Sequence, residues 1–347
     1  MSIEVNERPL VTFFVCAYQQ ERFIREAVEG AFAQTYSPLE IILSDDCSPD
    51  RTFDIMREMA AAYRGPHKII LNRNETNLGI GGHINRIFEL SCGELLVAAA
   101  GDDVSLPERT SAMCEAWRAA GPGVHSVFSD AVYTNESGDR LELWSATPTP
   151  WQFATTLREG IAGKDMAVLG CSHMFSRRTF AVFGPIRSDV VQEDNVIPLR
   201  SLLLGRVVYV PVPLVLYRRH GANLWQRQHD PLFKDHSRRE RWLKGQVALL
   251  ENGLSDVRKA SEFNLVNDGD AVALTRILQS RLADKRLEQA LAETACVTRI
   301  WTAASAVYRK RVPLPQAMNL LMASFESELL MNCWRKAKKC FPTAKRC

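Results

Sequence analysis

Short apolar runs alternate with amphipathic stretches along the first hundred residues. Val11 to Cys16 is an apolar, β-prone run, and Ile24, Ala27, Val28, Ala31 and Phe32 follow at spacings that share one helical face. Leu39 to Leu43 predicts a second strand, and Phe53, Met56, Ala60 and Tyr63 mark a second helical face. Lys68 to Leu71 predicts a third strand, Gly82 to Leu90 a short helix and Glu94 to Ala100 a fourth strand. This alternation predicts an α/β fold with a parallel sheet covered by helices on both faces. Ligands of such sheets bind beyond the carboxyl ends of the strands.

Further along, Val207 to Leu216 predicts another strand. From about Gln226 strand signals vanish and helix-prone stretches take over, as at Ala271 to Thr298 and Leu314 to Lys339. The pattern divides the chain into an alternating region, 1–225, and a mostly helical region, 226–347.

Composition narrows the class. The chain has 347 residues, 46% hydrophobic and 24% charged, which is ordinary for a globular protein with a substantial core. A formal net charge of +3 gives no ground for a nucleic-acid partner. The opening MSIEVNERPL carries acids and no apolar stretch, so it does not read as a signal peptide, and no apolar run is long enough to span a bilayer. The expectation is a cytoplasmic protein, with room for a peripheral contact on the inner membrane face. Nine cysteines without a C-x-x-C pair predict reduced thiols rather than a disulfide framework or a zinc site. Cys333, Cys340 and Cys347 recur every seven residues without a functional consequence.

The candidate chemistry lies after the strands. Ala17-Tyr18-Gln19 follows the first, Ser44-Asp45-Asp46-Cys47-Ser48-Pro49-Asp50 the second and Gly101-Asp102-Asp103 the fourth, so two acidic clusters share one sheet edge. Adjacent residues on an extended chain face opposite ways, so one carboxylate of Asp102-Asp103 can hold a hard cation, Mg²⁺ or Mn²⁺, while the other braces the loop. Either pair also fits an ordinary turn or cap. Gln192-Glu193-Asp194-Asn195 opens an apolar helix, where acids suit the helix dipole or serve as a general base. Tyr217-Arg218-Arg219-His220 follows the late strand, with residue types that suit phosphate or metal.

Taken together, these segments resemble glycosyltransferase family 2, the inverting GT-A family. VTFFVCAYQQERFIREAVEGAFAQTYSPLEIILSDDCSPDRT is similar to that family's opening, and NLGIGGHINRIFELSCGELLVAAAGDDVSLPER to its N-x-G…N…G-E segment leading into a metal motif. QEDNVIPLRSLLLG resembles its E-D helix and YRRHGANL the segment that closes its catalytic domain. The resemblance covers about 210 residues. It implies a Rossmann-like, mostly parallel sheet flanked by helices, with 1–225 as the catalytic domain and 226–347 as a helical C-terminal region.

By that resemblance Ala17, Tyr18, Asp45, Asp46, Gly79, Asn85 and Asp102 contact the nucleotide sugar. Asp102, Asp103 and His220 serve the metal, Mn²⁺ or Mg²⁺. Asp194 is the base, with Glu193 beside it. The implied partners are a nucleoside-diphosphate sugar donor and a saccharide or lipid-linked saccharide acceptor, of the bacterial surface-polysaccharide or lipopolysaccharide kind. The helical region is left for acceptor, membrane-surface or homo-oligomer contacts.

Two positions depart from the family pattern. Ala100 stands at the first acid of D-x-D, and Ile84 stands where an arginine is frequent. Ala100 keeps open a non-catalytic binding or assembly role on the same fold. A dinucleotide oxidoreductase is more remote, because Gly79, Gly81 and Gly82 lack G-x-G-x-x-G spacing and do not follow the first strand. Gly170-Cys171-Ser172-His173 is not a serine-hydrolase elbow. Ser145 to Lys164 is expected to shape the acceptor side. The basic stretches Arg218 to Lys244 and Trp334 to Cys347 suit an anionic membrane surface or a solvated tail.

Overall fold

Strand β1 (Val11–Ala17) lies between β2 (Leu39–Asp45) and β4 (Leu95–Ala100), and β3 (Lys68–Arg73) pairs with the far side of β2. All four run parallel. In this computed structural model, which describes residues 8–146, 153–221, 223, 236–293 and 313, helices α1 (Ile24–Phe32), α2 (Thr52–Ala62) and α3 (Gly79–Leu90) make the crossovers. Helices cover both faces, so β1 and β2 are apolar almost throughout and successive side chains enter different layers. Phe13, Val15 and Ala17 join the core layer of α1 and α2, while Phe14 joins the layer of α3, with Cys16 packed against it.

The strands match the alternation closely, but α3 begins three residues before the expected Gly82. The reason lies 33 residues upstream. The Asp46 carboxylate accepts the main-chain N–H groups of Leu78 and Gly79 at 2.9 and 3.0 Å, capping a helix start that has no local cap.

Beyond β4 come β5 (Val104–Ser105), α4 (Arg109–Ala120), β6 (Val124–Thr134), β7 (Arg140–Leu143) and α5 (Leu157–Ile161). Then follow β8 (His173–Ser176), α6 (Arg178–Phe183), α7 (Glu193–Leu204) and β9 (Arg206–Arg218). The described sheet has nine strands in the order β3-β2-β1-β4-β8-β6-β9-β5, with β7 on β6. β1, β2, β3, β4, β6 and β9 share a direction, and β5, β7 and β8 oppose it. The mostly parallel sheet is therefore as expected. Strand β6 escaped the apolar pattern because Ser126, Ser129 and Asp130 interrupt it. All three are buried, with Ser126 bonded to Ser201 and Asp130 accepting from Ser145.

Two long helices, α8 (His236–Glu262) and α9 (Asp268–Glu293), complete the described chain. They share one core with α7, β6 and β9, built from Phe128, Leu199, Leu203, Leu250, Val257 and Leu274 among others. No described helix is long and apolar enough to cross a membrane. The helical stretch expected at Leu314 to Lys339, the basic tail, the last three cysteines and part of Arg218 to Lys244 lie outside the described residues.

One buried ion pair ties α7 to α8. Arg200 and Asp256 are almost fully buried and meet through bonds of 2.8 and 3.3 Å. Arg200 also donates to the Gly184 carbonyl at 2.8 Å, and Asn252 donates to Asp256 at 2.8 Å. Removing one partner leaves a buried charge uncompensated. Asp256→Ala is expected to lose about 3–5 kcal/mol of stability, with a fall in thermal midpoint of order ten degrees. Calorimetry checks this, and a change below about 1 kcal/mol would mean the pair is solvated.

Candidate functional site

The sheet edge begins with the two acids of β2. Asp45 pairs in register with Ala17, and the Asp46 N–H donates to the Ala17 carbonyl at 2.9 Å. Their side chains diverge as neighbours on a strand must. Asp45 is fully buried. Its Oδ2 accepts from the Ser48 N–H at 2.9 Å and lies 3.7 Å from Arg73, while its Oδ1 has no hydrogen-bond partner among the described residues. Such an orphaned buried acceptor is rare in folded proteins and calls for a donor. Asp46 turns the other way, accepting from Asn74 at 2.8 Å as well as capping α3, so it braces the loop. Tyr18, just past β1, is 43% exposed and free to cover a planar group.

At the end of β4 the Asp102-Asp103 pair also diverges. Oδ2 of Asp102 meets His220 Nε2 at 2.9 Å, with Gln20 and Asn223 amides at 3.4 Å. His220 is packed against the Phe23 ring, which fixes its plane. Asp103 is 3% exposed; its Oδ1 accepts the Arg218 N–H at 2.9 Å, and the Cys171 thiol lies beside it. Burial and the Asp102 charge push its carboxyl well above the usual range. Asp103, expected at the metal, is thus turned into the protein as a brace. Arg218, a sequence candidate for phosphate, is likewise occupied. It is buried, holding Glu26 at 2.7 Å and the carbonyls of Asp102 and Glu136. Arg219 lies over the Tyr133 ring and reaches Glu142. Both arginines fasten β9 to its surroundings.

Glu193 and Asp194 open α7. The fourth residue beyond Asp194 is Pro198, which has no N–H to return to the Asp194 carbonyl. That carbonyl accepts instead from the Val168 N–H at 3.2 Å, drawing residues 168–170 against the acid pair. A side chain at Gly170 would find the Asp194 Cβ at 3.1 Å and the Glu193 carboxylate at 3.5 Å, so glycine leaves room for both acids. Burial pushes Asp194 up to about 6, partly offset by the Asn195 amide donating at 3.1 Å. Burial and the neighbouring charge push Glu193 up to about 8. Burial thus makes both acids readier to hold a proton than exposed carboxylates are.

These acids open on a cavity of about 90 Å³ whose opposite wall is the end of β4, including Ala100. Ala100 precedes Asp102 by two residues, and Asp102 itself does not line the cavity. Of the expected site residues only Glu193 and Asp194 line this cavity, and two of the others are engaged elsewhere. Asn85 closes a double bond with the main chain of Ile186, at 2.7 and 2.8 Å, and pins α3 to the segment before α7. It is a positioning residue rather than a ligand contact. Gly79 caps onto Asp46, and Gly81 allows α3 to approach that same segment, since a Cβ there would stand 2.5 Å from the Arg187 carbonyl. These glycines serve helix packing and form no phosphate cradle, which removes the support for a dinucleotide site. Sequence reasoning missed Gln20, Asn223, Gly170 and Cys171. The Gly170-Cys171 pair was visible only as a failed nucleophile motif.

For a cation the donor set is oxygen-rich but small. Asp102 keeps Oδ1 outside the bonds described above, and no group of three or more His, Cys, Asp or Glu gathers for a metal among the described residues. That fits an ion sharing one carboxylate with substrate phosphates and water, as Mg²⁺ and Mn²⁺ sites commonly do.

Comparison with known proteins follows the same lines. Residues 12–182 match the family profile of glycosyl transferase family 2. An uncharacterised protein of Mycobacterium tuberculosis strain H37Rv is 26% identical over 210 residues, which is 60% of this chain and 58% of that protein. The chain thus spans under two thirds of that relative's length. EpsH of Bacillus subtilis strain 168, named as a glycosyltransferase, is 27% identical over 237 residues, 66% of each chain. Among solved structures, Staphylococcus aureus TarS 1–349 in complex with UDP superposes with a TM-score of 0.55 at 13% identity, covering 94% of this chain and 91% of that one. The mannosyltransferase PcManGT from Pyrobaculum calidifontis, in complex with GDP-Man and Mn²⁺, gives 0.52 at 17% identity, covering 95% and 89%. At such identities the likeness establishes the fold, GT-A with a helical C-terminal region.

Proposed function

We propose, for a chain whose residues 12–182 belong to glycosyltransferase family 2, that it transfers a sugar from a nucleoside-diphosphate sugar to an acceptor hydroxyl with inversion. The observation that carries this is the α7 acid pair facing, across one cavity, the strand end that leads into Asp102. TarS and PcManGT, with UDP and GDP-Man bound, support a nucleotide-sugar donor on this fold. The name of EpsH supports a glycosyltransferase. We place the acceptor in bacterial surface-polysaccharide synthesis, either free or lipid-linked, with residues 1–225 forming the catalytic unit.

Asp45 supplies the orphaned Oδ1 to a nucleobase N–H, with Tyr18 and Ala17 completing the base pocket and Asp46 holding the loop. Asp102 holds the diphosphate end with His220 fixing its orientation, and Asp103 anchors the turn from behind. Asp102 would hold a divalent cation, Mn²⁺ or Mg²⁺, which would supply charge neutralisation at the departing diphosphate. Asp194 takes the proton of the acceptor hydroxyl as its oxygen attacks the anomeric carbon. The bond to the diphosphate breaks in the same displacement, so configuration inverts. Glu193, whose carboxyl is pushed up by burial and by the Asp194 charge, limits charge repulsion beside the base.

A thermal-shift panel of UDP, dTDP, GDP and NAD, each with and without Mn²⁺, tests the donor site, because a ligand of the folded state must raise its melting point. One nucleoside diphosphate is expected to stabilise the protein, and Asp45→Ala to weaken that shift. Silence from every diphosphate would favour a binding or assembly role, and a shift with NAD alone would overturn the assignment. Gly170→Ala is expected to lower turnover roughly 10–100-fold by displacing the acids, given how steeply rate depends on position. Its folding should stay intact by circular dichroism. Unchanged turnover would separate Gly170 from the chemistry.

A further inference from the structure

The cavity beside the acid pair has an unusual wall for a carbohydrate enzyme. Phe14, Ile80, Ile84, Ala98, Ala100 and Ile197 line it, drawn from β1, α3, β4 and α7. Both positions at which the sequence departs from its family pattern, Ala100 and Ile84, face this one space. An acid and a base are absent from it together, and methyl groups stand in their places. Among the described residues no lysine or arginine lines it. Of the polar groups on its far side, His173 has its Nε2 engaged by Ser126 at 2.8 Å, and Cys16 has its thiol against His83 at 3.1 Å. A phosphate has no partner here. Glu193 and Asp194 line the same space and can accept from a hydroxyl on their side of it, whereas a hydroxyl set against the apolar wall would lose its water without regaining a hydrogen bond.

The volume, about 90 Å³, holds about three waters at about 30 Å³ each. Water on such a wall is poorly held, and an apolar group gains by displacing it. We propose that this cavity is a donor-sugar subsite that selects a methyl-bearing substituent, the C6 methyl of a 6-deoxyhexose or the acetamido methyl of an N-acetylated sugar. Ala100 and Ile84 are its specificity-determining residues. The inference rests on the glycosyltransferase reading and names the class of donor it takes.

The test compares donors matched in nucleotide. GDP-rhamnose is set against GDP-mannose and UDP-N-acetylglucosamine against UDP-glucose, with GDP and UDP alone as references, all by calorimetric titration in Mn²⁺. The methyl-bearing member of one pair is expected to bind roughly 10–100-fold more tightly than its partner, about the discrimination an apolar pocket achieves against a hydroxyl. Which pair responds distinguishes the C6 methyl from the acetamido group. Ala100→Ser, and independently Ile84→Thr, put a hydroxyl on the wall and are expected to narrow that ratio several-fold. Equal binding within each pair, while the bare diphosphates bind, would overturn the subsite and leave the transferase reading standing. An unaltered ratio in both folded variants would overturn the assignment of these two residues. Failure of these donors and of UDP, GDP and dTDP alone to bind would overturn both readings.

Discussion

Asp194→Asn is expected to lower turnover by about 10²–10⁴-fold, the share a positioned general base contributes, while leaving nucleotide binding in place. The substitution keeps the shape of the side chain and removes its ability to accept a proton. Release of nucleoside diphosphate from the donor in the presence of acceptor measures the first effect, and the thermal shift with the same diphosphate measures the second. The pH profile supplies an independent check. Burial raises Asp194 to about 6, so the fraction able to act as base grows as pH rises through that value. Turnover of the wild type is therefore expected to climb between about pH 5 and 7, and the residual turnover of Asp194→Asn to lose that limb. A loss smaller than tenfold, or the same rising limb in the variant, would move the base elsewhere, with Glu193 the nearest group to examine.

Asp102→Ala is expected to abolish the Mn²⁺-dependent part of the diphosphate thermal shift and to lower turnover by about 10²–10³-fold, in line with several kcal/mol of charge stabilisation at a leaving group. Asp102 is the acid of its turn that is not buried among main-chain donors, and Gln20, His220 and Asn223 hold one of its oxygens in place. His220→Gln separates orientation from charge, since it keeps a donor near Oδ2 and leaves the carboxylate. Its effect is expected to be smaller, within about tenfold. A metal-dependent shift that survives in Asp102→Ala would assign the ion to other residues. Metal-independent binding in the wild type would remove the ion, and with it the diphosphate contact, from the reading of Asp102.

Much of the fold was legible because it is written in local periods. β1 to β4 follow from short apolar runs and their crossovers from apolar residues recurring every third and fourth position, and the parallel arrangement follows from the alternation of strand and helix. The acidic edge was legible for the same reason, since loops after parallel strands gather at one end of a sheet. The antiparallel strands β7 and β8 gave no such signal. They are short, and β6 between them carries buried serines and an aspartate whose partners sit elsewhere in the chain.

The sequence by itself determined that an α/β sheet would bring Asp45 and Asp102 to one edge, because strand direction follows from short-range patterning, while the Glu193-Asp194 helix joined them through the family resemblance. Only the tertiary structure decided what each side chain does there. It gave Asn85 to the Ile186 main chain, 101 residues away, turned Asp103 toward Arg218, and left one oxygen of Asp45 without a partner. It also brought Ala100 and Ile84, sixteen positions apart in the sequence numbering, to the wall of a single cavity. Hydrogen bonds and cavities of this kind join groups distant along the chain, and their partners are fixed by packing, which no local period records.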